Sequence, residues 1–159
     1  VRPFLDRHER VLTANWRPRR GIQVTWSDLP DAWLAALQRL SHDLHVRQYG
    51  GEIEHIDWVA EYDPDGGAVW LLSAVTISGG RRGGLACSGY GASVDDDAEK
   101  ALLSMADLVQ TEVAEVGTAW PWADEGGFMN LDLVDGVAVW RDRKGCTTRI
   151  GDLTAEPHR

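Results

Sequence analysis

Two histidines three residues apart, His42 and His45, precede Glu52, Glu54, His55 and Asp57, a mixed nitrogen and oxygen set of the kind that binds divalent metals. The spacing matches no established metal motif, and polar residues at a helix end ordinarily face water, so neither a metal nor a cofactor is expected. Cys87 or Ser88, with His55 and an acidic neighbour, would supply a nucleophile and its base if the first and third strands of a sheet lie side by side. Nothing local marks either as activated. Gly89-Tyr90-Gly91 lacks the Lys and Ser/Thr of a phosphate loop and reads as turn glycine. Arg81-Arg82, set between glycine pairs, could hold a carboxylate or phosphate by paired hydrogen bonds, or keep a hairpin edge from pairing with other chains. Trp120 and Trp122 flank Pro121 in an irregular stretch, where aromatic rings cap a pocket, anchor a partner or cover the open end of their own core. No catalytic signature emerges, which points away from an enzyme more than toward one.

The elements that must carry these residues follow from periodicity and turn chemistry. Phe4, Leu5, His8, Val11 and Leu12 fall at helical spacing, which predicts a first helix over 4–12 ended by Arg17-Pro18-Arg19-Arg20-Gly21. Ile22, Val24 and Trp26 alternate as a short strand, and Ser27-Asp28 with Pro30 predicts a helix over 28–44 whose apolar face is Trp33, Leu34, Leu37, Leu40 and Leu44. Residues 53–62 and 68–77 are strand-like and joined by Asp63-Pro64-Asp65-Gly66-Gly67, a hairpin turn; a third strand is expected near 85–90. Asp95-Asp96-Asp97 places negative charge at the start of a helix over 96–116, in which Ala98, Ala101, Leu102, Met105, Leu108, Val109, Val113 and Val116 recur every three or four residues. A terminal hairpin over 137–141 and 146–150 closes the chain before a tail from Thr154.

Composition bounds the partners. With 159 residues, 43% hydrophobic and 26% charged, the chain suits one domain: a core over 22–117, an aromatic loop and hairpin over 118–153, and a tail over 154–159. No apolar run approaches the ~20 residues of a membrane span, and Val1-Arg2-Pro3-Phe4 lacks the features of a signal peptide, so a cytoplasmic protein is expected. A net charge of -9 repels a phosphate backbone, which disfavours nucleic acid and favours a basic protein surface; homo-oligomerisation is left open. Cys87 and Cys146 show no zinc or disulfide spacing.

The run Ile56-Asp57-Trp58-Val59-Ala60-Glu61-Tyr62-Asp63-Pro64-Asp65-Gly66-Gly67-Ala68-Val69-Trp70, continued by Gly89-Tyr90-Gly91-Ala92-Ser93 and Asp97-Ala98-Glu99-Lys100-Ala101-Leu102, resembles HicB-like antitoxin domains. That resemblance covers about a third of the chain and implies a three-strand-plus-helix fold, shared in part with the double-stranded RNA-binding domain. Two departures limit it. The RNA-binding family reads phosphates with a lysine-rich start to its last helix, where this chain has Asp95-Asp96-Asp97, and there is no helix-turn-helix or basic arm to read a promoter. The stretch from Asp135 through Leu153 also looks like the ending of uncharacterised actinobacterial proteins, which implies no activity.

The expectation is therefore an α+β domain: a mostly antiparallel sheet of three or more strands backed by two helices, in an α-β-β-β-α core, plus a C-terminal β-hairpin. Its expected role is an acidic binding protein of the antitoxin or immunity kind, meeting a basic protein partner. The alternative is a small enzyme or ligand-binding protein with a pocket between sheet and helices, lined by Trp58, Trp70 and Trp122 and carrying His55 or Asp57.

Overall fold

The computed structural model describes residues 9–49, 52–64, 66–78, 86–87, 92–93, 97–124 and 126–154. Arg81, Arg82, Ser88, Gly89-Tyr90-Gly91, Asp95-Asp96 and residues 4–8 lie outside them. The chain forms β1 (Glu9–Arg17), β2 (Gly21–Ser27), α1 (Asp31–Leu44), β3 (Ile53–Asp63), β4 (Ala68–Ile77), β5 (Ala86–Cys87), β6 (Ala92–Ser93), α2 (Ala98–Glu115), β7 (Asn130–Val134), β8 (Val137–Arg141) and β9 (Thr147–Arg149). This is an α+β fold of two antiparallel sheets and two helices. The larger sheet has the order β2-β1-β3-β4, with the two-residue strands β5 and β6 both pairing with β4, and the smaller has the order β7-β8-β9.

The helix expected over 4–12 is corrected by the structure: from Glu9 the chain is strand β1, inserted between β2 and β3. Leu12, Ala14 and Trp16 are all buried, a period of two that continues past the point where the helical spacing stops. Pairing with two neighbours, Trp16 to Ile22 on one side and Trp16 to Ile56 on the other, satisfies the backbone more completely than a short helix before a proline would.

Alternation runs through the central strands β1, β3 and β4. Ile56, Trp58 and Ala60 of β3 and Val69, Leu71, Val75 and Ile77 of β4 are buried beside Leu12, Ala14 and Trp16, while the residues between them are mostly less covered. The buried face packs on Trp33, Leu37, Leu40 and Leu44 of α1 and Leu102, Met105, Val109 and Val113 of α2, all part of one core cluster. The β3–β4 hairpin turns at Gly67, whose φ of 71° lies in the left-handed region that glycine enters without steric cost.

The two helices are capped differently. The cap expected at Ser27-Asp28 is corrected: α1 starts after Pro30, and the Ser27 hydroxyl accepts the Leu29 N–H in the preceding turn instead. α2 starts at Asp97, whose carboxylate accepts the Lys100 N–H at 2.9 Å. It ends at Gly117 (φ 96°), where Thr118 N–H reaches back to Val113 C=O and Gly117 N–H to Ala114 C=O, the Schellman pattern.

The expected terminal hairpin is β8–β9, and it has a further partner, β7, joined to β8 through Asp135-Gly136 with φ of 51° and 80°. This small sheet rests on α2 and buries Ala138 and Trp140 completely, together with Ile150 from the turn after β9. Among the described residues no helix is long and apolar enough to cross a membrane.

Candidate functional site

The structure separates most of the residues that the sequence singles out. Trp58 faces the helices in the core, while Trp70, paired with Glu61 rather than with Trp58, lies on the opposite face of the sheet. Trp122 sits in the 117–129 loop. The three do not converge on a pocket, which corrects the expected arrangement between sheet and helices. His55 and Asp57 do meet, with Nε2 and Oδ1 2.6 Å apart, on the face of β3 opposite to Ile56 and Trp58. His42 instead approaches Asp43 (Nδ1 to Oδ1, 2.9 Å), and His45 tilts against the Trp16 ring at 5.1 Å. Burial above all, with the nearby His42 second, lowers the His45 pKa. Among the described residues no three His, Cys, Asp or Glu side chains are grouped to hold a metal. β4 lies between β3 and β5, so the strands of His55 and Cys87 are not neighbours as the nucleophile reading required.

The two loop tryptophans have different surroundings. Trp120 is buried, its indole N–H shared between Asp43 C=O and Val46 C=O at 3.0 Å each, and its ring meets Trp140 edge-on at 5.2 Å. Trp122 is half-buried and stacks flat on Tyr49, with ring centres 4.0 Å apart. Backbone bonds hold this loop to the segment after α1: Tyr49 and Ala119 exchange both N–H···O bonds, and Trp122 N–H donates to Arg47 C=O. The Arg47 side chain, itself buried, donates to Thr154 C=O and pairs with Asp124. Gln110 of α2 completes the attachment by donating to Met129 C=O at 2.6 Å.

Between the last turns of α2 and this loop lies a groove of about 690 Å³. Ala114, Ala119, Trp120 and the ring of Phe128 make its apolar walls, and Gln110, Thr111 and Glu115 its polar edge. Phe128 is 58% exposed, and Tyr49 on the same loop surface is 57% exposed. Large aromatic rings held this open are a common feature of contact surfaces. Glu112, one turn before Glu115, is buried, and among the described residues neither carboxylate has a cationic partner. Burial first, and the charge of Glu115 second, push the Glu112 pKa up. A second cleft of about 610 Å³, around Asp142, Lys144 and Cys146, has a mixed lining that includes Met129 and Leu153. Its groups serve the fold: Asp142 Oδ1 accepts the Lys144 and Cys146 N–H bonds, and Asp124 pairs with Arg47.

Asp43, which the sequence did not single out, organises the end of α1. Its carboxylate is fully buried and accepts the Trp140 indole N–H (2.8 Å), the Gly151 N–H (2.7 Å) and the Leu153 N–H (3.2 Å). One acidic side chain thus fastens the small sheet and the segment after β9 to a helix about a hundred residues earlier. Nearby, Arg39 pairs with Glu99 and donates to Ile150 C=O, while Glu99 accepts the Ala138 N–H.

The two perturbed glutamates predict opposite pH behaviour. The Arg39 guanidinium above all, with the Ala138 amide, holds the Glu99 carboxyl below its ordinary range against the effect of burial. Its contribution is present above the unfolded-state value and lost as pH falls through the lowered folded value, so Glu99→Gln should destabilise at neutral pH and have a fading effect in acid. Glu112, shifted upward, favours the fold when protonated and costs stability as pH rises through its raised value. Glu112→Gln should therefore raise the urea midpoint at neutral pH and leave it unchanged in acid. Urea titrations at the two pH values check both signs.

Compared with protein-family models, curated proteins and solved structures, the chain matches none.

Proposed function

We propose that this chain is an acidic binding protein that captures a basic segment of another protein in the groove between α2 and the 117–129 loop. The observation that carries the reading is the pairing of an open apolar wall, led by Phe128, with Glu115 on its polar edge, a carboxylate that has no cation beside it among the described residues. An apolar side chain followed by Lys or Arg satisfies both features: the ring surface loses water, and the Glu115 carboxylate gains a cationic partner. The net charge of -9 steers such a partner and disfavours a nucleic-acid backbone. An antitoxin or immunity role, as in the HicB-like domains that the sequence resembles, fits a chain whose partner is a basic toxin or nuclease.

The test is an affinity capture from cytosol after nuclease treatment, repeated with Phe128→Ala and Glu115→Lys. The expected result is a basic protein whose affinity falls about tenfold or more with each variant, the size of loss typical of a central interface residue. Capture that survives both substitutions, or that disappears with nuclease, contradicts the reading.

A further inference from the structure

β2 is the free edge of the larger sheet. Its residues, Gly21-Ile22-Gln23-Val24-Thr25-Trp26-Ser27, include four of strong β-propensity and no charge or proline. Val24 is 40% and Trp26 49% exposed. Edge strands of monomers are ordinarily blunted by lysine, proline, a bulge or a covering element, because their outward N–H and C=O groups form a template for another strand. Among the described residues the only such device is the register shift opposite Thr13/Ala14, which twists the strand without charging it.

The charges missing from the strand stand at its two ends and have opposite signs. Arg17, Arg19 and Arg20 precede it, and Asp28 and Asp31 follow it. All five are exposed, and among the described residues none has an ion-pair partner. A parallel neighbour of the same kind would set arginines against arginines. An antiparallel one sets the basic end of each strand against the acidic end of the other. Only a second copy supplies that pattern by symmetry, with each contact made twice.

We infer that two copies of this chain join through β2, paired antiparallel about a two-fold axis near Val24, so that their larger sheets run on as one and the arginine-bearing turn of each copy lies beside Asp28 and Asp31 of the other. The apolar Val24 and Trp26 surfaces are covered in the same step, and the pairing uses no residue of the groove, so it stands apart from the proposed partner.

Sedimentation equilibrium over a concentration series, with far-UV circular dichroism to confirm folding, tests this on the full chain. A concentration-dependent approach to twice 17.6 kDa is expected. Val24→Lys should weaken the dimer about tenfold or more by placing like charges at its axis. Arg20→Glu and Asp28→Arg should each weaken it, whereas the double variant Arg20→Glu/Asp28→Arg should restore it, and an equal mixture of the two single variants should form the mixed dimer. A monomer at every concentration overturns the inference. So does a dimer indifferent to Val24→Lys, or one that the double charge reversal fails to restore.

Discussion

Replacing Asp43 with Ala is expected to lower folding stability by about 3–5 kcal/mol, because three buried or half-buried N–H donors lose their acceptor at once. The Trp140 indole, the Gly151 amide and the Leu153 amide all converge on this carboxylate, and none has an alternative acceptor in the hydrogen bonds it makes. Asn at the same position keeps one oxygen but turns an amide NH₂ toward donors, so about half of the loss should remain. Urea unfolding gives the free energy. Hydrogen exchange at Gly151 and Leu153 shows whether the segment after β9 detaches before the rest unfolds, which is the expected order since these amides depend on Asp43 directly. A loss below about 1 kcal/mol for Asp43→Ala would mean that water replaces the carboxylate without strain, and that the end of the chain is held by packing alone.

The second large effect separates two tryptophans that look alike in sequence. Trp120→Ala removes a fully packed ring, leaves Asp43 C=O and Val46 C=O without the indole donor, and breaks the edge-on contact with Trp140, for an expected cost of about 3–5 kcal/mol. Trp122→Ala removes a half-buried ring stacked on Tyr49, for about 1 kcal/mol. Because Trp120 and Asp43 both contact Trp140, the double variant Asp43→Ala/Trp120→Ala should cost less than the sum of the two. Thermal and urea unfolding of the four proteins checks the order and the coupling. Equal losses for Trp120→Ala and Trp122→Ala would contradict the division between a ring that closes the core and one that lies on its surface.

Much of the architecture was legible residue by residue. The 3–4 spacing of Leu37, Leu40 and Leu44, and of Leu102, Met105 and Val109, together with Asp97 before α2 and Gly117 after it, is enough to place both helices. The 63–67 turn defines the β3–β4 hairpin in the same way. Asp135-Gly136 between Leu131, Leu133 and Val137, Val139 is an equally clear hairpin signal, and it is the one that marks β7. The loop around Trp120 and Trp122 was a candidate from sequence. Phe128, Tyr49 and Glu115 were not, since a groove exists only once the end of α2, the segment after α1 and the loop are brought together.

What the amino-acid order settled by itself was local: where α1 and α2 run, where the chain reverses, and how acidic its surface is, because these depend on neighbours a few residues away and on composition. The identity of β1, the placing of Trp58 and Trp70 on opposite faces, and the burial of Asp43 came from elsewhere. Residues 9–12 fit a helical spacing as well as a strand until β2 and β3 arrive on either side. Asp43, beside His42 at the end of α1, reads as a solvent-facing acid until Trp140 and Leu153, 97 and 110 residues later, enclose it. Short-range propensity chooses an element's type; whether a polar group is solvated or enclosed depends on which distant segment comes to lie against it.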